Sequence, residues 1–248
     1  MKCIVLAAGY ATRLYPLTKD KPKSLLEVGG KTILEHIIKK VEDVKDVDDI
    51  IIVSNDRFYA QFKDWVEQYS GSKSIKVLND KTTDNDNRLG AIADICFAID
   101  RENINDDIIV LAGDNLFDFN LYDFVDFYKK VKSDCITVHE LNNIEELRKT
   151  GVVEIDENYR VIFFEEKPKY PKSNLAAPPL YIYKRETLHY IKEYLEQGNN
   201  PDAPGNFIPW LISKKDVFAY KFKGNRYDIG TLENYNKVKD IFKQMYLE

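Results

Sequence analysis

The residues with most chemical potential lie near the start of the chain. Leu6-Ala7-Ala8-Gly9-Tyr10-Ala11-Thr12 is a loop of mostly small residues behind a short apolar run. It ends on Arg13, and Lys23 follows behind Pro22. Small side chains let backbone N–H groups close on an anion, and successive N–H groups can form a concave nest for it. A guanidinium adds a planar, two-pronged grip on phosphate oxygens. Taken alone, the loop is also what an ordinary strand–loop connection with two solvated cations looks like. Arg13, Pro16-Leu17-Thr18 and Pro22-Lys23 together favour phosphate binding.

Two other phosphate loops fit poorly. The dinucleotide pattern G-x-G-x-x-G finds only Gly9, because Ala11 holds its second place and Leu14 its third. Gly30-Lys31-Thr32 fits the end of G-x-x-x-x-G-K-[ST], but Leu25 stands where its first glycine belongs. Gly29-Gly30 reads instead as a turn before a helix starting at Ile33. Further along, Asp114 in Ala112-Gly113-Asp114-Asn115 serves a turn or helix cap as readily as a ligand. Glu165-Glu166-Lys167 reads equally as a charged edge strand.

The elements that must position these residues alternate through the first half. Short apolar runs at 3–6, 50–53, 75–78 and 108–111 predict strands buried on both faces of a parallel sheet. Helical patterns at 33–44, 57–69 and 89–99 lie between them. This alternation predicts a Rossmann-like, doubly wound α/β fold with a mixed sheet, and ligands in such sheets bind beyond the carboxyl ends of the strands. Residues 7–17 and 112–116 stand in that position. The second half predicts a hairpin, 151–155 and 161–165, turned by Asp156-Glu157-Asn158. A strand at 180–183, helices at 186–197 and 207–212 and a strand at 217–222 follow. Thr231 is a candidate N-cap for the last helix. We read one domain, 1–248, with a β-rich, substrate-binding insertion in its second half.

The chain has 248 residues, 44% apolar and 31% charged, with a formal net charge of −5. That length supports one large core. The charge gives no basic face for nucleic acid. No apolar stretch approaches the roughly 20 residues of a membrane span. Cys3, Cys96 and Cys135 have no metal-ligand spacing and read as reduced thiols. With an N-terminus that runs straight into a strand, the expected setting is cytoplasmic. His36, His139, His189, Trp65 and Trp210 read as structural.

The run from Leu6 to Lys31 closely resembles the signature of the sugar-phosphate nucleotidyltransferases, L-A-x-G-x-G-x-R-L-x-P-L-T-x-x-x-P-K-x-L-L-x-V-x-G-K. The resemblance implies the nucleotide-diphospho-sugar transferase fold, with a nucleoside triphosphate and a sugar 1-phosphate as partners and Mg²⁺ as cofactor; within the one domain it implies that 1–135 serve mainly the nucleotide, 136–225 mainly the sugar phosphate, and 226–248 a metal-ligand motif and a C-terminal helix. Leu6, Ala7, Ala8, Gly9, Ala11, Thr12 and Arg13 would bind the nucleotide. Arg13, holding pyrophosphate, and Lys23, on the α-phosphate and the sugar phosphate, would be catalytic. Asp114 matches the family's metal-binding Gly-Asp pair. Asp228, in Tyr227-Asp228-Ile229-Gly230-Thr231, matches its W-x-D-I-G-T motif, with Tyr227 at or near the aromatic place. Glu166 and Lys167 match an E-E-K-P run that binds sugar hydroxyls and sugar phosphate. Gly151 matches a glycine whose backbone meets the sugar, and Gly90 one near the base. Three departures stand out. Ala11 replaces a glycine, and because alanine disfavours positive φ, an altered loop backbone is expected. Ala91 and Ala93 replace residues of the G-T-A-G-A run around Gly90. Pro179 stands where relatives carry glycine.

The implied reaction is attack of the sugar phosphate on the α-phosphorus with loss of pyrophosphate. Cations and positioning would carry it, with no covalent nucleophile. Glucose 1-phosphate thymidylyl- and uridylyltransferases are the nearest match, and a homo-oligomer is left open. Two alternatives stay in view. One is transfer to a non-sugar acceptor such as phosphocholine or a phosphonate. The other is a non-catalytic sensor of nucleotide or sugar phosphate.

Overall fold

The computed structural model describes residues 1–245, so the last three positions of the expected C-terminal segment lie outside the described residues. Contacts group the chain into two compact units. One, which carries the N-terminal loop, comprises 3–88, 112–121 and the residues from 224 onward. The other, which carries the 151–166 hairpin, comprises 1–2, 89–111 and 122–223.

In the loop-bearing unit, strands Lys2–Leu6, Asp49–Ser54 and Ser74–Asn79 follow one another across the sheet. The last two are parallel, in register from Asp49↔Ser74 to Ser54↔Asn79. Asp49–Ser54 is buried nearly throughout, as a strand covered on both faces should be. Ser74–Asn79 is not. It ends the row, its residues alternate between exposed and half-buried, and only Leu78 is buried. The expectation that this run is covered on both faces is corrected by its Ser, Lys and Asn residues, which an outermost strand can leave in water.

Helix Ile33–Glu42 turns Ile33, Leu34, Ile37, Ile38 and Val41 inward, the spacing of one helical face. Thr32 caps it, its hydroxyl accepting the Glu35 N–H at 3.1 Å. Just before it, Glu27–Val28 and Lys31–Thr32 pair as a two-residue hairpin. Gly29 and Gly30 at its tip have φ of 59° and 78°, the signs a type I′ turn needs. Gly30-Lys31-Thr32 is thus a turn and a helix cap, as the glycine pair implied.

Two strands of three residues each, Asn115–Phe117 and Arg226–Asp228, pair antiparallel in this unit, with Asp228 opposite Asn115. They are too short for periodicity to announce. The final helix, Leu232–Met245, starts as expected at Thr231, whose Oγ1 accepts the Asn234 N–H at 3.2 Å.

The hairpin-bearing unit holds a row of strands in the order Val161–Glu166, Gly151–Ile155, Leu175–Ala177, Asp134–Glu140, Leu180–Tyr183, Ile108–Ala112. Neighbours in that row are antiparallel, while Val217–Lys221 adds to Asp134–Glu140 in parallel. The architecture is therefore mixed α/β, as expected. Asp134–Glu140 is a further unanticipated strand, buried from Asp134 to His139. Its polar residues break the apolar pattern, and the buried Asp134 is answered locally. Asp134 accepts from the Lys184 N–H (2.7 Å) and the Thr187 hydroxyl (2.8 Å), and pairs with Lys215 (2.9 Å). Helices Ala91–Arg101 and Leu188–Glu196 pack together, and Phe207–Ile212 is the short helix expected there. Among the described residues no helix is long and apolar enough to cross a membrane.

Candidate active site

The loop leaves its strand with three backbone anchors. The Gly113 N–H donates to the Leu6 carbonyl at 2.8 Å, the Ala7 N–H donates to the Val53 carbonyl at 2.9 Å, and Asn55 Nδ2 donates to the Ala8 carbonyl at 2.8 Å. Gly113 must be glycine for this approach. A Cβ there would stand 2.9 Å from the Leu6 carbonyl oxygen and from Ser24 Oγ. A Cβ on Gly9 would meet nothing within 4 Å, so the protein's own packing does not require glycine at that position. A short 3₁₀ turn, Thr12–Leu14, closes the loop, and Arg13 at its centre is exposed.

Ala11 overturns the expectation attached to it. It adopts φ 47°, ψ 42°, the left-handed region that suits glycine. Ala pays about 1–2 kcal/mol there, and the surroundings hold it. Its carbonyl accepts from the Leu14 N–H (2.9 Å) and from the fully buried Thr18 hydroxyl (2.8 Å). The backbone keeps a glycine-like path although the glycine is gone. Ala11→Gly should therefore raise stability by up to about 1 kcal/mol. Chemical denaturation measures it, and a lower midpoint would contradict the reading.

Five side chains in this unit form a continuous polar chain. Lys23 Nζ donates to Asp114 Oδ2 at 2.7 Å. Asn115 Nδ2 donates to Asp114 Oδ1 at 2.7 Å, and Asn115 Oδ1 accepts from Arg226 Nε at 2.5 Å. Arg226 Nη2 lies 3.8 Å from Asp228 Oδ2. The short strand pair explains the meeting: Asp228 sits opposite Asn115, the neighbour of Asp114. Burial alone would push the Asp114 carboxyl up. The Lys23 ammonium, the hydrogen bonds from Lys23 and Asn115, and the Arg226 guanidinium outweigh it and hold the group below its ordinary value. Two carboxylates, one held ionised, are the protein donor set that Mg²⁺ commonly takes alongside phosphate oxygens and water. Asp114 and Asp228 fit that ion.

The hairpin brings Gly151, Glu166 and Lys167 together. Glu166 is registered opposite Gly151, and the Lys167 N–H donates to the Thr150 carbonyl at 3.1 Å. Lys167 has φ 49°, a strained backbone for a lysine, of the kind often found at ligand-gripping positions. Its Nζ is 3.8 Å from Glu166 Oε1 and its side chain is mostly exposed. Gly151 has a packing reason of its own, because a Cβ there would strike the Phe164 ring at 2.4 Å. Gly205, which the sequence left in a turn-rich link, also bears on this site. A Cβ on it would land 2.0 Å from Glu166 Oε2.

Gly90 belongs to the hairpin-bearing unit, not to the loop's. It heads helix Ala91–Arg101 with φ 93°, and its missing Cβ would lie 2.6 Å from the Pro201 carbonyl oxygen. Sequence reasoning also missed Asn115 and Arg226 as parts of the carboxylate site. Arg226 stands two residues before Asp228, which on a strand puts both on one face, but the strand itself is too short for the sequence to announce. Tyr227, read as the motif aromatic, lies edge-on to Phe242 at 5.4 Å.

A protein of Sulfolobus acidocaldarius, provisionally named as a mannose-1-phosphate guanyltransferase, is 32% identical over 246 residues, 96% of this chain and 62% of its own length. The bifunctional protein GlmU of Methanocaldococcus jannaschii is 30% identical over 230 residues, 93% of this chain and 51% of its own. This chain thus spans little more than half the length of those two relatives. The UTP–glucose-1-phosphate uridylyltransferase AglF of Haloferax volcanii, 27% identical, is matched over 98% of this chain and 97% of its own. Among solved structures, a UDP-glucose pyrophosphorylase complexed with UDP-glucose superposes with a TM-score of 0.81, covering 98% of each chain at 22% identity, and so shares the fold. Residues 2–244 match the family model described as nucleotidyl transferase, and the chain belongs to that family.

Proposed function

We propose that this chain transfers a nucleotidyl group from a nucleoside triphosphate to a sugar 1-phosphate, releasing pyrophosphate. The observation that carries the reading is the chain Lys23–Asp114–Asn115–Arg226–Asp228, which sits beside the backbone anchor of the N-terminal loop at Gly113. The names of the guanyl- and uridylyltransferase relatives support the same class of reaction.

In this reading the loop residues Leu6, Ala7, Ala8, Gly9, Ala11 and Thr12 cradle the triphosphate, and Gly90 lies near the base. Arg13 binds the pyrophosphate that departs. Lys23 turns from Asp114 to the α-phosphate. Glu166 bonds sugar hydroxyls, and Lys167 binds the sugar phosphate. A phosphate oxygen of the sugar phosphate forms the new bond to the α-phosphorus as the bond to the β-phosphate oxygen breaks, its electron pair leaving with pyrophosphate. The nucleophile is already anionic, so no general base is needed, and the barrier is one of bringing anions together in line. Asp114 and Asp228 would hold Mg²⁺, which supplies positive charge at the α-phosphate.

Lys167→Ala tests the sugar-phosphate half. It should raise the KM for sugar 1-phosphate by about 10- to 100-fold, the loss of one charge-assisted contact, and leave the KM for the triphosphate unchanged. A fall in triphosphate affinity alone would move this segment to the other substrate.

A further inference from the structure

Asp114 and Asp228 each have one of the protein's own cations at hand. Lys23 stands 2.7 Å from Asp114 with its side chain only 10% exposed. Arg226 is anchored through Nε on Asn115, which is itself buried, and reaches to 3.8 Å from Asp228. The four formal charges, two negative and two positive, cancel. A bare divalent ion entering this group meets two fixed positive charges, and at a few ångströms with the modest screening of a protein surface each opposes it substantially. An ion carried by a triphosphate arrives differently. Its phosphates are new anionic partners to which the lysine and the arginine can turn, freeing both carboxylates.

We infer that Lys23 and Arg226 are resident counter-ions that keep the carboxylate pair closed to a free divalent cation and open it to one carried by a triphosphate. Arg226 is thereby a positioning residue that acts through Asn115 and Asp228. The inference rests on the proposed reading of Asp114 and Asp228 as the metal-holding pair.

Equilibrium dialysis of the whole chain against Mn²⁺ tests it. The runs are made with and without the α,β-methylene analogues of the common nucleoside triphosphates, and corrected for Mn²⁺ that the analogue binds in buffer. In the wild type the preferred analogue should raise Mn²⁺ affinity by at least about tenfold. Arg226→Gln should raise the affinity for free Mn²⁺ by about tenfold, the weight of one nearby charge, and shrink the gain from the analogue. Arg226→Lys keeps the charge and should stay within about twofold of the wild type. If Arg226→Gln does not fold by circular dichroism, Lys23→Met carries the same expectation from the other end of the chain. Wild-type protein that binds Mn²⁺ equally well with and without the analogue would overturn the inference and leave the proposed function standing. So would an Arg226→Gln protein with unchanged affinity. No binding in any condition would overturn both.

Discussion

Asp114→Ala should lower the rate of pyrophosphate release by about a thousandfold or more, the scale seen when a charge-stabilising group is taken from a preorganised site. The Lys23 ammonium, the hydrogen bonds from Lys23 and Asn115 and the Arg226 guanidinium hold the carboxyl below its ordinary value. Removing it leaves the mostly buried Lys23 side chain without its partner, a stability loss of about 1–3 kcal/mol. That is small beside the total stability of a domain this size, so a folded protein with almost no turnover is the expected result. Asp114→Asn separates charge from shape, because it preserves the bulk and one acceptor oxygen but not the charge. If either variant turns over normally at saturating triphosphate, the metal-holding role is wrong.

Lys23→Met should cost about 100- to 1000-fold in kcat. The ammonium donates a hydrogen bond to Asp114, and the proposed chemistry moves it onto the reacting phosphate, so its charge would matter most where charge develops. Two readouts should move in opposite directions. Turnover falls because a positive charge leaves the transition state, while affinity for a free divalent ion rises because that charge no longer opposes it. A variant that lost turnover and metal affinity together would mark Lys23 as a structural support for Asp114 instead.

Much of this arrangement is legible in the sequence, and the exceptions have physical causes. Local signals carried far. Gly29-Gly30 announced a turn, Thr32 and Thr231 announced helix caps, and the Asp156 turn announced the hairpin that brings Gly151 to Glu166. The sharing of roles among residues distant in the chain was not legible. Asn115 and Arg226 meet through strands of three residues, where no periodicity can form. Gly205 lies against the Glu166 carboxylate, and nothing near residue 205 says so. Composition misled at Ala11. A missing glycine implied a changed backbone, but a buried hydroxyl seven positions on, Thr18, helps hold the strained path. The edge position of Ser74–Asn79 was written in its polar residues and outweighed by its apolar ones.

The proposed reaction joins a nucleotide to a sugar 1-phosphate. It is tested most directly by following pyrophosphate release while five nucleoside triphosphates are mixed in turn with a panel of sugar 1-phosphates and, separately, with phosphocholine. Release should require one triphosphate, one sugar 1-phosphate and a divalent cation together, with no nucleotidyl group left covalently on the protein. Absence of pyrophosphate from every pair, release with phosphocholine alone, or a trapped covalent nucleotidyl–enzyme would contradict it.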